Sequence, residues 1–372
     1  MDPLTHTLAG AVLAETPAAR RLGRAGGLSR GLTTGLLLVA ANAPDVDVSC
    51  YLVGPDFALG TRRGWTHGVL AALVLPFLVA GLALLWRRWR GRSSGVRARW
   101  GPVLLLAAVG VWSHPLLDLL NVYGIRLLAP FDWTWFYGDA VYIVDPWLWL
   151  VLGGAVFLVR SRSRRGLVLW GVLAALTTAA VLVAAPVVAR WVWLAGLALL
   201  IGWRAGRGPV PDERTGRLAW GTAAVVAVYC VTMAASAAYG AALVRQELSA
   251  RGEGPLRRLM VGPEAADPFH RRVVVETPVG YRLGRVSWLT FLGEPLLSWE
   301  PRIVPYPPPT PEVREAFRAE SVAGFVSWVR FPAVEMEAAP GGGATVVHLI
   351  DLRYARRPTG DFGTATVQLE GE

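Results

Sequence analysis

His114 and Asp118 stand four residues apart in WSHPLLDLLN. That spacing is about one helical turn, so both side chains leave the same face. The surrounding segment is apolar and reads as membrane-spanning, where a charge is costly unless it is paired, ligated or set in a polar cavity. The same chain carries Asp2 and His6 at its start, Asp45 and Asp47 in NAPDVD, and His67 in RGWTH. Carboxylates and neutral imidazoles drawn from separate elements are the ligands a divalent cation takes. His6, Asp45, Asp47, His67, His114 and Asp118 are therefore the candidate metal ligands. Zn(II) suits the imidazole content, the carboxylates equally admit Mn(II) or Mg(II), and bridging carboxylates would accommodate two ions. In a hydrolytic centre a remaining carboxylate orients or deprotonates the attacking water. Asp47 and Asp118 are the candidates for that role.

Each residue also has a structural reading. His6 alone would serve as a cap or pair at an interface. Asp45 and Asp47 would end a helix before a polar loop, although acids favour helix starts. His67 would make a structural hydrogen bond in a first turn. Thr5 and Thr66 directly precede histidines and are placed to hydrogen-bond ligands, and Asn121 lies one turn beyond Asp118. Asp139 and Asp145 are further possible ligands or simple helix caps. His270 and His348 are isolated and read as ordinary surface or packed residues.

These side chains must be positioned by an unusually apolar chain. Of 372 residues, 53% are hydrophobic and 17 are Trp, far from a soluble composition. Apolar stretches cover roughly residues 3–19, 31–47, 67–86, 100–120, 140–159, 167–185, 188–203 and 218–243. The first two are short for a bilayer core of about 30 Å, which needs about 20 helical residues. They are tilted, half-inserted or packed within the bundle. The start of the chain lacks the charge order of a cleavable signal peptide, so the first segment is expected to stay. Cys50 and Cys230 are the only cysteines, which excludes a disulfide framework and a zinc knuckle.

Arginines alternate between the connections. Arg20, Arg21, Arg24 and Arg30 follow the first stretch, and Arg87, Arg88, Arg90, Arg92, Arg97 and Arg99 the third. Arg160, Arg162, Arg164 and Arg165 follow the fifth, and Arg204, Arg207, Arg214 and Arg217 the seventh. The positive-inside rule puts these in the cytoplasm, with the N-terminus and the residues after 245 outside. All the candidate ligands then fall on the outer side, although the arginines alone set the topology. Residues 1–250 hold 23 Arg against 12 acids, and 251–372 hold 14 against 15, so the net +10 charge belongs to the membrane part. That excess fits topology and lipid headgroups, and no basic groove pattern suggests nucleic acid.

Residues 251–372 have another texture. RRVVVETPVGYRLGRVSW, ATVVHLIDLRYARR and GTATVQLE alternate as strands do. PYPPPTP is a stiff connection, and PEVREAFRAESVAGFVSWVRF reads as an amphipathic helix. The fold expected is an all-α polytopic membrane bundle of about eight helices with a C-terminal extracytoplasmic α+β or mostly β domain. The division expected is 1–245 for the transmembrane metal-site domain and 251–372 for the accessory domain.

The stretches DPLTHTLAG, APDVD, RRGWTHG and SHPLLDLLNVYG, with LLAPF just after, resemble the YdjM-type membrane-bound metal-dependent hydrolase family of the bacterial inner membrane. The resemblance covers about residues 1–150, with the later spans similar only in hydropathy. It implies a metal-dependent hydrolase with metal held at His6, Asp45, Asp47, His67, His114 and Asp118. The family often reads H-R-G-x-T-H-S where this chain has Arg62, Arg63, Gly64, Trp65, Thr66, His67 and Gly68. A histidine is thus replaced by Arg62, suited to contact an anionic group of a phosphoester.

The leading functional expectation is an enzyme at the outer membrane–water boundary, hydrolysing an ester or phosphoester of a lipid-like or membrane-delivered substrate. Trp133, Trp135, Phe136 and Tyr137 would line its mouth or anchor the interface. A non-enzymatic transporter would need polar residues continuing toward the cytoplasmic side, where the spans are almost wholly apolar. A metal-stabilised envelope-assembly protein would saturate its metal without an open position. Membrane lipids and an amphiphilic or phosphorylated substrate are the expected partners.

Overall fold

Asp2 sets the first helix. It accepts a hydrogen bond from the Thr5 backbone N–H (3.0 Å), and Pro3 occupies the first turn, the chemistry a helix N-terminus favours. α1 (Pro3–Glu15) ends at Thr16, whose hydroxyl caps α2 (Pro17–Ala25). The computed structural model describes residues 1–90, 98–253, 256–338, 344–358 and 362–370. Arg92 and Arg97 of the sequence reading lie outside the described residues. The helical part continues through α3 (Arg30–Asn42), a 3-10 segment (Ala43–Leu52), α4 (Pro55–Thr61), α5 (Val69–Trp89) and α6 (Trp100–Leu119). After a long loop come α7 (Pro146–Arg160), α8 (Arg164–Ala184), α9 (Val187–Arg207) and α10 (Asp212–Ala250).

Among the described residues, α5, α6, α8, α9 and α10 are long and apolar enough to cross a membrane. The other three expected stretches hold helices too. α1 and α3 have 13 residues each and α7 has 15. At 1.5 Å per residue, 13 residues span only about 20 Å of a core of about 30 Å.

The chain divides into two units. The first comprises 1–46, 63–234 and 265–267; the second comprises 47–62, 235–264 and 268–372. In the first, α3 lies between α1 and α6 at close range. A Cβ on Gly10 would meet the Leu37 carbonyl oxygen at 2.8 Å, and one on Gly110 would meet the Ala40 Cβ at 2.5 Å. Small residues at such crossings let apolar helices approach closely where no water drives them together. Leu36, Leu37 and Ala40 of α3 pack with Val79 and Ala80 of α5 and with Leu106, Ala107 and Val111 of α6.

α1 and α7 run parallel, as contacts at both ends show. Trp149 donates to Asp2 at 3.0 Å near their starts, and Arg160 pairs with Glu15 at their ends. Buried Glu15 also accepts from Arg20 and from Arg30 (2.9 Å), while Asp212 accepts from Arg30 (3.1 Å) and Arg162 (2.7 Å). Arginines from the connections after the first and the fifth apolar stretches thus gather at one end of α1, and Asp2 and His6 mark the other.

The second unit contains a four-stranded antiparallel sheet of β1 (Arg258–Glu264), β2 (Asp267–Thr277), β3 (Gly280–Ser287) and β4 (Leu297–Trp299), in that order. A three-stranded sheet follows, of β5 (Pro332–Ala338), β6 (Ala344–Asp351) and β7 (Thr364–Glu370). The alternating stretch at 271–288 is a hairpin, closed where Thr277 pairs with Gly280. Its VVV run is buried on both faces. Val274 joins Leu283, Phe331 and Ile350, whereas Val273 and Val275 join Val244 and Leu248 of α10.

The expected helix after PYPPPTP is instead two short ones, α11 (Pro311–Ala316) and α12 (Ala323–Trp328). Each has its own cap, Thr310 on Val313 N–H for α11. For α12, the Asp56 carboxylate accepts from the Gly324 and Phe325 N–H groups, both at 2.8 Å. A side-chain cap starts a new helix where a continuous one would leave the donor to its own i−4 carbonyl.

Asp351 and Arg353 form a fully buried pair at 2.7 Å, with the guanidinium 4.4 Å from the centre of the Trp328 ring. Asp351 also accepts from the Arg330 N–H at 3.0 Å. Asp351→Ala strands this arginine, and we expect a loss of about 3–5 kcal/mol of stability in the second unit. Denaturant titration of the full chain followed by tryptophan fluorescence reads it; a loss below 1 kcal/mol would mean water reaches Arg353.

Candidate metal centre

Three helix ends and a turn bring the candidate ligands together. His6 sits in the second turn of α1, and His114 and Asp118 lie on the last turns of α6. α3 stops at Asn42, and the tighter 3-10 winding that follows places Asp45 in its first turn. His67 precedes α5 in a turn closed by its own N–H on the Gly64 carbonyl (3.0 Å). The chain enters that turn through Arg63, whose φ of 55° is rare for a residue with a Cβ. Gly68 lies where an added Cβ would run into the Ala129 carbonyl, so this turn has no room for the serine found in the resembling motif.

The ligand atoms face one another. His67 Nε2 and His114 Nε2 are 3.1 Å apart, and Asp118 Oδ2 lies 3.4 Å from the first and 3.5 Å from the second. Asp45 Oδ1 lies 3.8 Å from His67 Nε2 and 3.7 Å from His114 Nε2. Ligands held about 2.0–2.1 Å from a tetrahedral ion stand roughly 3.3 Å apart along its edges. The two imidazoles, with either carboxylate, therefore suit a divalent cation by spacing and by chemistry. Asp118 Oδ2 is buried yet makes no hydrogen bond, a costly condition for an anionic oxygen that a cation would relieve. Asp45, His67 and His114 form one buried group of possible ligands, and His6, His114 and Asp118 form a second.

Surrounding groups fix how the ligands point. His114 Nδ1 lies 2.7 Å from the Ala41 carbonyl and must donate to it, so Nε2 presents a lone pair inward. Thr66 Oγ1 is 2.9 Å from His67 Nδ1 and holds that ring in the same sense when it accepts. The His6 ring stacks on His114 with centroids 3.6 Å apart, and its Nε2 lies 3.3 Å from Asp118 Oδ1. That second oxygen of Asp118 also receives Arg63 Nη2 (3.2 Å) and the Met1 amine. Arg63 in turn donates to Asn121 Oδ1 at 3.0 Å, and its guanidinium lies 4.5 Å from the Tyr123 ring centre. Thr5, by contrast, bonds Asp2 (2.6 Å) and no ligand.

Asp47 belongs to neither ligand group and pairs with Arg62 at 3.3 Å. Asp145 caps α7 through the Trp147 and Leu148 N–H groups and accepts from Tyr229 at 2.7 Å. His270 pairs with Glu294 (2.8 Å) and His348 with Glu337 (3.1 Å), both ordinary local pairs. The loop after α6 turns back on itself through Ile125 and Phe136, which exchange hydrogen bonds of 2.9 Å. Arg126 lies buried over Trp135 at 4.2 Å, and that burial holds its pKa below the ordinary arginine value. Trp65, Phe131 and Trp133 stay exposed on this loop and its neighbour.

Arg63 is the supporting residue that the sequence reading passed over in favour of Arg62. Adjacent residues point different ways, so RRG announces one inward arginine without saying which. Asn121→Ala would remove the one acceptor that Arg63 Nη1 (3.0 Å) and the Tyr123 N–H (2.8 Å) share, while Arg63 keeps the Gly124 carbonyl and Asp118. We expect metal affinity to fall about 10–100-fold while the ligands stay in place. Isothermal titration with Zn(II) measures it; unchanged affinity would show that Asp118 needs no such support.

No curated protein and no solved structure gave a match to this chain. The model of the YdjM inner membrane protein family matches residues 1–192, a stretch that includes every candidate ligand. The chain belongs to the YdjM inner membrane protein family and is a membrane protein with buried His and Asp groups able to hold a metal ion.

Proposed function

We propose that this chain is a metal-dependent hydrolase of an ester or phosphoester borne by a lipid-like or membrane-delivered substrate. The observation that supports the reading is that His67 and His114 face both Asp118 and Asp45 at 3.4–3.8 Å in an apolar helical bundle. A bound divalent ion, with Zn(II) favoured by the two imidazoles, would supply Lewis acidity and an acidified water. His6 backs the His114 ring and shares Asp118. Arg63 and Asn121 keep Asp118 turned toward the histidines.

In this reading Asp47 orients or deprotonates the nucleophile, and Asp118 shares in that charge. Arg62 meets an anionic group of the substrate, a role that guanidinium geometry suits. Exposed Trp65, Phe131 and Trp133 seat the apolar part of the substrate, as aromatic side chains do at a membrane boundary. The gathering of Arg20, Arg30, Arg160 and Arg162 at the far end of α1 supports a multi-pass topology with that end in the cytoplasm. His6 and the centre then face outside, as does the C-terminal domain.

A metal-stabilised assembly protein is the second reading, favoured by the depth of the site: four protein ligands, none more than 8% exposed. Two measurements on detergent-purified protein separate the readings. Elemental analysis should find stoichiometric metal that is lost in His114→Ala and Asp118→Ala with folding retained. Arg62→Gln should keep the metal and lower kcat/KM on an amphiphilic phosphoester by about 100-fold. Protein that binds no Zn(II), Mn(II) or Mg(II) after reconstitution would sink the metal centre. Metal without turnover on any ester or phosphoester would favour the assembly reading.

A further inference from the structure

A second feature of the first unit lies apart from the metal centre. α7, α8 and α9 enclose an apolar groove of about 390 Å³, with Leu8 of α1 at its side. Phe157, Trp170 and Leu197 form its walls, and Gly171 opens its floor: a Cβ there would meet nothing within 4 Å. On α9 the lining runs from Trp193 to Arg204 and Ala205, about 17 Å of helix between the first two at 1.5 Å per residue. That is the reach of an acyl chain lying along the helices.

The end of the groove is charged. Arg204 lines it and donates to Ser161 Oγ (2.8 Å) and to the Ser161 carbonyl (2.6 Å), both neutral acceptors. Ser161 follows Arg160, so this is the Glu15 end of the bundle, away from His6 and His114. There Arg20, Arg30, Arg160 and Arg162 share Glu15 and Asp212. Among the described residues, Arg204 and the exposed Arg164, Arg165 and Arg207 make no ion pair with a carboxylate. A groove for one apolar chain that ends in uncompensated guanidinium charge is complementary to an anionic amphiphile.

We propose that the groove between α7, α8 and α9 binds an anionic phospholipid, one acyl chain along Phe157, Trp170 and Leu197 and the phosphate at Arg204. The proposal is independent of the hydrolase reading, because Arg204 lies at the other end of the bundle and none of the candidate ligands lines the groove. It assigns a resident lipid, bound from the leaflet that faces the arginines.

The test uses delipidated full-length protein in detergent, loaded with phosphatidylglycerol or phosphatidylcholine and weighed by native mass spectrometry. We expect one phosphatidylglycerol per chain and weaker retention of phosphatidylcholine. Arg204→Gln should weaken phosphatidylglycerol about fivefold, the usual effect of one arginine near a headgroup. Gly171→Phe fills open space and replaces a residue that weakens helices, so the fold should survive while both lipids are lost. Circular dichroism and gel filtration check that both variants are folded. Equal retention of the two lipids overturns the proposal, as does wild-type retention in both folded variants. Displacement of phosphatidylglycerol by millimolar inorganic phosphate would also overturn it, by removing the role of the acyl chain.

Discussion

A carboxylate with no solvent exposure, on a largely apolar helix, must have its charge answered from every direction. Asp118 is that group, and its two oxygens are answered differently. Oδ1 is met by Arg63, by the Met1 amine and by His6. Oδ2 faces only two imidazole nitrogens that are themselves 3.1 Å apart. One oxygen is thus saturated by fixed positive charge and hydrogen bonds, and the other is turned toward a point where lone pairs converge. The division is enforced by Arg63, which the positive φ of its turn and its bond to Asn121 hold in place.

The short helices follow from the same constraint. A helix of full bilayer length at α1 or α3 would carry its end past the level at which His6 and Asp45 meet α6. α3 instead stops and tightens into 3-10 winding, which turns Asp45 inward, and its Ala41 carbonyl fixes the His114 tautomer. Close crossings at Gly10 and Gly110 keep the three helices near enough for these contacts. At the other end, Glu15 ties α1 to α2, α3 and α7 through arginines. The position of His6 is therefore set by polar contacts at both ends of one 13-residue helix.

Of the six candidate ligands, the structure brings together His6, Asp45, His67, His114 and Asp118, which spacing and hydropathy made legible; nothing in APDVD told Asp47, which turns to Arg62, from Asp45. His114 and Asp118 are one turn apart, and a polar pair in an apolar run stands out. The helical stretches were legible for the same reason, since each of the eight apolar runs contains a helix. What was not legible depends on local geometry. Nothing in RRG distinguishes Arg62 from Arg63, because the turn that sends one inward depends on a backbone angle. The break between α11 and α12 was hidden because its cap, Asp56, comes from a distant part of the chain. The VVV run in β2 reads as one face of an alternating strand, and only packing on both sides explains three consecutive valines.

Transport by the same polar cluster would require a path along which a charged species meets compensation at each step. Between His6 and Glu15, the buried residues of α1 are Leu8, Gly10, Ala11, Val12 and Ala14. On α6, from its start up to His114, they are Val103, Leu106, Ala107, Ala108, Gly110 and Val111. Neither list contains a group able to replace the hydration of an ion. A cation held by Asp45, His67, His114 and Asp118 would face a dry, close-packed layer toward the arginines, and exposed aromatics lie on the loops at its own end. The buried faces of α1 and α6 thus offer no such compensation, and the polar groups of α3 on this route, Thr33 and Thr34, lie near its arginine end; that arrangement supports the enzyme reading over transport.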